Sequence, residues 1–280
     1  MTRVAILGAG ELGGLLAHVL ARRHIVPSIH LVDDAGRIAE GKALDLMQAA
    51  PIEGFATEIS GGTDLSWAAA SAIVVLADRH AGPEWQDDQA LMLVKRLREF
   101  EKHAVIVFAG AAQRIVLERA VRELRLPRER LLGSSPEALS AAARAMVALE
   151  ADTSPRDVAL SVLGVPPTHT VIPWEDATVG GVAVARVLDG PARRRIEARV
   201  GALWPPGPYA LASAAAAVID SLTGRSRQRV SCFVGPDDES GVRARAAALP
   251  VRLGPTGIVG IDRPALSVHE QVLLDNAMLL

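Results

Sequence analysis

The sequence predicts an α/β protein, with a doubly wound parallel-sheet domain over residues 1–133 followed by a mixed α/β (α+β) domain over residues 134–280. Three observations carry this. Short apolar β-like runs alternate with amphipathic helical stretches through the first half, the pattern of a parallel sheet built from βαβ units. A G-x-G-x-x-G turn joins the first such run to the first helical stretch. Beyond about residue 133 the texture changes to strand-like runs separated by glycine turns, with a long alanine-rich segment among them.

The elements follow in order. VAIL (4–7) is a buried strand, and LGGLLAHVLARR (12–23) is a helix with one apolar face. IHLV (29–32) is the second strand and RIAEGKALDLMQ (37–48) the next helix. TEIS (57–60) and AIVVLA (72–77) are strands, with Gly61-Gly62 expected to form the turn after the first of them. A helix over 87–102, the strand AVIVFA (104–109) and the helix 112–124 complete the first half. SPEALSAAARAMVALEA (135–151) is a helix whose proline suits the first turn. DVALSVLG (157–164), THTVIPW (168–174) and GGVAVARVL (180–188) are expected to be antiparallel strands. YALASAAAAVIDSLTG (209–224) is a closely packed helix, at a subunit interface or in the interior. RVSCFVG (229–235) and LPVRLG (249–254) are strands, and 266–280 is a terminal helix.

Composition sets outer bounds. A chain of 280 residues, 50% hydrophobic and 22% charged, can bury a large core. Its formal net charge of -2 gives no footprint for nucleic acid or an anionic membrane. Cys232 is the sole cysteine, which rules out an intrachain disulfide and a thiolate-rich metal site. The start MTRVAILGAG lacks a basic, apolar and cleavable leader, and no run of about 18 apolar residues is present. The expectation is a cytoplasmic protein that binds neither membrane, nucleic acid nor metal.

The glycine turn GAGELG (8–13) places Gly8, Gly10 and Gly13 between a strand and a helix, and the second strand ends at Asp33, twenty residues after the last glycine. That is the context of a Rossmann-type dinucleotide site. The first glycine permits the turn, the second lets backbone approach a pyrophosphate, and the third lets helix and strand pack. The helix N-terminus stabilises the anion. Asp33 is placed to accept hydrogen bonds from an adenosine ribose and disfavours a 2′-phosphate, so the cofactor expected is NAD. The expected cofactor-binding residues are Gly8, Gly10, Glu11, Leu12, Gly13, Asp33 and Ala77.

DAGRIAEGKALDLMQAAPIEGF (34–55) resembles the lactate/malate dehydrogenase family, most of all its bacterial malate dehydrogenases, with their G-K-A-L-D-L-x-Q helix. LPRERLLGSS (126–135), ATVGGVAVARVL (177–188) and LPVRLGPTGI (249–258) extend the likeness over nearly the whole chain. The segment 188–209 is about a dozen residues shorter than the family pattern, so a trimmed helix is expected there. The resemblance implies a dinucleotide-binding domain joined to a substrate domain, assembly as dimers or tetramers, and hydride transfer between nicotinamide and a 2-hydroxy acid. It also implies a proton-exchanging histidine held by an aspartate, arginines that clamp carboxylates, and a positioning asparagine.

At the matching positions the chain reads differently. Pro166 of LGVPPT (163–168) stands where the family has histidine, and His169 lies three residues late. Leu139 and Ala142 match the orienting aspartate and clamping arginine, Ala81 and Asp87 the loop arginines, and Gly110 the asparagine. His169 therefore reads as a structural or surface histidine. No ordinary malate or lactate turnover is expected, and Glu84 and Asp87 would repel an anionic acid. Asp78 replaces a glycine near the cofactor's phosphates and weakens NAD binding. Arg79 and His80 are candidates for a relocated polar site or ordinary solvated charges. Trp67, Trp85, Trp174 and Trp204 read as packing or interface anchors, and RHAGPEWQDD (79–88) and VGPDDESG (234–241) as solvated acidic loops. Three functions remain open. The chain is a degenerate NAD(H)-binding family member, an active NAD-dependent oxidoreductase on an altered 2-hydroxy acid or uncharged substrate, or an oligomeric interaction protein without cofactor.

Overall fold

A computed structural model describes residues 2–69, 71–237 and 245–279. Its first half runs β1 (Arg3–Leu7), α1 (Glu11–Arg22), β2 (Ser28–Val32), α2 (Gly36–Glu53), β3 (Glu58–Gly62), β4 (Ile73–Leu76), α3 (Asp87–Phe100), β5 (Val105–Phe108), α4 (Arg114–Leu124) and β6 (Leu131–Gly133). The strands lie parallel in the order β3-β2-β1-β4-β5-β6. This is the doubly wound order, with its switch point between β1 and β4.

The burial pattern explains why these runs become central strands. Along β1, Val4 and Ile6 join the apolar cluster on one face, and Ala5 and Leu7 join the cluster on the other. All four residues of β4 and of β5 are buried. A strand covered by helices on both sides must be apolar without alternation, which is how these segments read.

The second half runs α5 (Ser135–Glu150), β7 (Val158–Ala159), β8 (Leu163–Val165), β9 (His169–Val171), β10 (Thr178–Val179), β11 (Val182–Ala183), α6 (Val184–Val187), α7 (Gly190–Gly201), α8 (Pro208–Leu222), β12 (Val230–Val234), β13 (Ala247–Gly254), β14 (Gly257–Ile261) and α9 (Val268–Leu279). The antiparallel β12 pairs with β6, so the parallel strands continue without a break into β12-β13-β8-β9, with β14 also on β13. The described residues thus form one 11-stranded mixed sheet and a separate 3-stranded sheet, β11-β10-β7. The alanine-rich helix α8 packs on α1 and α5, with Ala212, Ala215 and Ala216 fully buried, so it is an interior element.

Several expectations need correction. Gly61 and Gly62 do not form a turn; they end β3 in register with Leu31 and Val32. Gly61 is needed for close approach, because a Cβ there would lie 2.1 Å from the Ala39 carbonyl oxygen of α2. Segment 157–164 is not one strand. It splits into β7 and β8 because the Val162 N–H, between them, donates to Ser140 Oγ at 2.9 Å and Ser231 Oγ at 3.2 Å and leaves the ladder. Segment 180–188 turns from the two-residue β11 straight into α6. Helix α2 runs on through Pro51 to Glu53, where Gly54 closes it at a φ of 77°. The segment 188–209, where a shortened helix is expected, holds the 12-residue α7, which needs no correction. Residues 238–241 of the acidic loop VGPDDESG lie outside the described residues.

Candidate functional site

The glycine turn between β1 and α1 opens at the carboxyl ends of the strands, beside the switch point. Gly8 has a φ of 116°, and its would-be Cβ lies 2.2 Å from the Asp78 carbonyl oxygen, so only glycine fits. Gly13 is equally constrained, with the Gly8 carbonyl oxygen 2.0 Å from its would-be Cβ. Gly10 faces a side chain. A Cβ there would lie 2.3 Å from the Asp78 carboxyl carbon.

That carboxylate takes up the amides at the start of α1. Leu12 N–H donates to Asp78 Oδ2 at 3.1 Å and Gly13 N–H to Oδ1 at 2.9 Å. Gly10, before the helix, has no side chain to cap it, so Asp78 from β4's far end does so across 66 residues of sequence. Lys42 Nζ of α2 donates to the Gly10 carbonyl at 2.6 Å, fixing the other side of the turn.

Asp33 is 4% exposed and also committed to backbone. Its Oδ2 accepts from Ala9 N–H at 2.8 Å and His80 N–H at 3.0 Å, and its Oδ1 from Ala35 N–H at 2.9 Å. Burial alone would push this carboxyl up. The three N–H groups and the nearby His80 outweigh it and hold Asp33 below the usual aspartate value.

Residues 77–85 fold into a tight hairpin. Trp85 N–H donates to the Ala77 carbonyl, Arg79 N–H to Pro83 and Gly82 N–H to Arg79, while Asp78 and Glu84 pair as an antiparallel bridge. Trp85 Nε1 donates to the Leu7 carbonyl at 3.1 Å, and the Arg79 guanidinium lies 5.0 Å from the Trp85 ring centre. Trp85 is therefore an anchor of the hairpin and also lines a cavity beside the end of β2. Glu84 accepts from Ala111 N–H at 2.9 Å and Ala112 N–H at 2.8 Å, and a Cβ on Gly110 would meet its Oε2 at 2.2 Å. The fully buried Gln113 ties the ends of β4 and β5 together, accepting from Gly110 N–H and donating to the Ala77 carbonyl.

Two spaces flank the hairpin. A cavity of about 340 Å³ lies between the end of β2 and α3, with Asp34, Thr63, Leu65 and Met92 among its walls. An open groove of about 590 Å³ runs past Gly10, Glu11, Lys42 and His80. The remaining predicted positions scatter. Pro166 is buried in the turn between β8 and β9, and His169 is half-buried opposite Val165. Leu139 lies in the apolar cluster of α5 with Trp174 and Ile196, and Ala142 is half-buried on the same helix. Ala81, at the hairpin tip, and Asp87, opening α3, are exposed and have φ values of 52° and 50°. His80 is exposed. Among the described residues no group of three or more His, Cys, Asp or Glu side chains is placed to hold a metal, and no helix is long and apolar enough to cross a membrane.

Comparison with known proteins matches this geometry. Residues 2–87 fit the family model of the lactate/malate dehydrogenase NAD-binding domain. A malate dehydrogenase of Desulforudis audaxviator is 29% identical, the match covering 99% of this chain and 95% of that one. One of Chlorobium phaeobacteroides is 27% identical over 94% and 93%. The chain is thus similar to lactate/malate dehydrogenases, through residues 2–87 to their NAD-binding domain and along nearly its whole length to malate dehydrogenases. Among solved structures, the malate dehydrogenase of Salinibacter ruber superposes with a TM-score of 0.86 at 24% identity, covering 99% of this chain and 94% of that chain. The lactate dehydrogenase of Cryptosporidium parvum, solved with lactic acid and nicotinamide adenine dinucleotide, superposes with a TM-score of 0.85 at 19% identity, covering 99% and 94%. At those identities the likeness bears on the fold.

NAD is accordingly the candidate cofactor of the groove. The glycine turn, Asp33 and the adjoining cavity have the form such a group requires. The amides do not. Those of Leu12 and Gly13, which a pyrophosphate would need, already serve Asp78, and Asp33 is filled by three backbone donors. In this conformation the residues present do not fit a bound dinucleotide.

Proposed function

We propose that this chain is a lactate/malate dehydrogenase-like protein that has lost ordinary malate and lactate turnover, with NAD(H) as a weakly held candidate ligand. Pro166 carries the reading. It stands at the position matched to the family's proton-exchanging histidine, is buried, and has no titratable group. General acid-base assistance is typically worth ~10²–10⁴-fold in rate, and losses within one catalytic unit do not simply add. Leu139, at the position matched to the orienting aspartate, is 1% exposed among apolar neighbours, and Ala142 offers no guanidinium to clamp a carboxylate.

The test is to follow NADH absorbance in the purified protein with oxaloacetate and with pyruvate. The expected outcome is no rate above a protein-free blank. A kcat/KM of ~10⁴ M⁻¹ s⁻¹ or more, ordinary for an enzyme, overturns the reading. A second reading, an interaction protein without cofactor, draws support from the commitment of the Leu12 and Gly13 amides to Asp78. Self-association as a dimer or tetramer fits either reading. Helix α2 leaves Leu44 60% and Ile52 90% exposed, with Met47 beside them, more apolar surface than a lone helix face ordinarily shows water. The division into a dinucleotide-binding unit, 1–133, and a second unit, 134–280, and a cytoplasmic setting belong to the same proposal.

A further inference from the structure

We infer that the 77–85 hairpin is a built-in anionic ligand that occupies the dinucleotide groove and holds it closed. The inference rests on reading the groove as the family's dinucleotide site. The glycine that elsewhere lets a phosphate approach backbone here lets a carboxylate do so: Gly10 has no Cβ, and Asp78 lies in the space. Asp78 engages two successive amides of a 12-residue helix with its two oxygens, as a bound anion would.

Glu84 repeats the arrangement one loop away. Both its oxygens are engaged by the amides of Ala111 and Ala112, beside Gly110, where again a Cβ could not fit. The bridge between Asp78 and Glu84 makes the two carboxylates parts of one rigid piece. His80 N–H pins that piece to Asp33, the residue that would otherwise face a ribose.

A phosphate at hydrogen-bonding distance from Leu12 and Gly13 would overlap the Asp78 oxygens and oppose them in charge. Dinucleotide and seated hairpin therefore exclude each other. Entry requires the hairpin to lift, breaking the bonds at Asp78, those at Glu84 and the His80 bond together. The cavity beside β2 has Arg79 and Trp85 of the hairpin among its walls, so lifting the hairpin reshapes that cavity as well as freeing the amides for phosphate.

The experiment is a calorimetric titration of wild type, Asp78→Gly and Asp78→Asn with NADH and, separately, with inorganic pyrophosphate, alongside amide hydrogen exchange of the ligand-free proteins. Wild type is expected to bind neither ligand below millimolar and to protect the Leu12 and Gly13 amides. Asp78→Gly is expected to bind NADH at least about tenfold more tightly and to exchange those two amides at least about tenfold faster. Asp78→Asn, which keeps the side-chain shape but not the charge, serves if the glycine variant folds poorly, with a gain of about threefold or more. Micromolar NADH binding by wild type overturns the inference, as does a folded variant that gains affinity for neither ligand. The two readings separate. Wild type that binds NADH without turnover sinks the closed groove alone, whereas Asp78→Gly that binds NADH and reduces oxaloacetate sinks only the loss of catalysis.

Discussion

Asp33→Ala should destabilise the fold by an amount that follows from its three partners. Ala9 is fully buried, so its N–H would be left without an acceptor, at a cost of about 1–3 kcal/mol. Ala35 is half-buried and His80 exposed, so water can replace the carboxylate there, for about 0.5–1 kcal/mol each. The sum is about 3 kcal/mol, which lowers Tm by about 5 °C in a chain of this size, since unfolding entropy is ~2.1 cal/mol/K per residue. Asp33 titrates below the usual aspartate value in the fold, so its contribution is fully present above about pH 5. It is lost as pH falls through the depressed folded-state value, because the unfolded chain takes up the proton first. Urea unfolding of wild type and variant from pH 7 down to pH 3 checks both points. A gap under ~0.5 kcal/mol at pH 7, or one that does not narrow below pH 4, would refute the reasoning.

Three more predictions concern the rest of the structure. Glu137→Ala should cost about 3 kcal/mol, read as a lower urea midpoint at unchanged slope. It strips both the Arg144 guanidinium at 2.5 Å and the buried Ser231 N–H at 2.8 Å of their acceptor. Gly41→Ala and Gly61→Ala should move stability in opposite directions. Nothing lies within 4 Å of a Cβ at Gly41, so helix propensity gains about 0.5–1 kcal/mol there. At Gly61 the clash with the Ala39 carbonyl costs about 2 kcal/mol or more by thermal melting. Cys232 is fully buried, and burial, then the Glu137 charge, push its thiol well up. Iodoacetamide at pH 8 should modify it only at the rate of unfolding, and stoichiometric labelling of native protein within minutes contradicts that.

The strands and helices of the first half were legible because each buried face writes itself into residue order: VAIL, IHLV and AIVVLA cannot face water on either side. Fold class followed, and so did the glycine turn. What escaped were contacts set by distant chain. Gly61-Gly62 reads as a turn until α2 is laid against it. The strand at 157–164 looks continuous until Ser140 and Ser231, 22 and 69 residues away, claim the Val162 amide. In the site, Asp78 was legible as an obstacle near phosphates but not as the cap of α1, and Glu84 was legible only as a repelling charge. Its partners, Ala111 and Ala112, are alanines whose backbone amides leave no mark in sequence. The one available signal was the pair of carboxylates six residues apart around a turn-forming Ala-Gly-Pro, which a hairpin would bring side by side.

The hairpin carries its carboxylates on a covalent tether, and tethering fixes the terms of any competition. A group linked in this way acts at an effective concentration of about millimolar or more, whatever the dilution. If the hairpin is lifted in about one molecule in a hundred, a groove with an intrinsic Kd of ~10 μM registers as ~1 mM. Such a groove ignores micromolar changes in free nucleotide and fills only across the millimolar range, and the set point is written in the length and stiffness of the nine residues from Ala77 through Trp85.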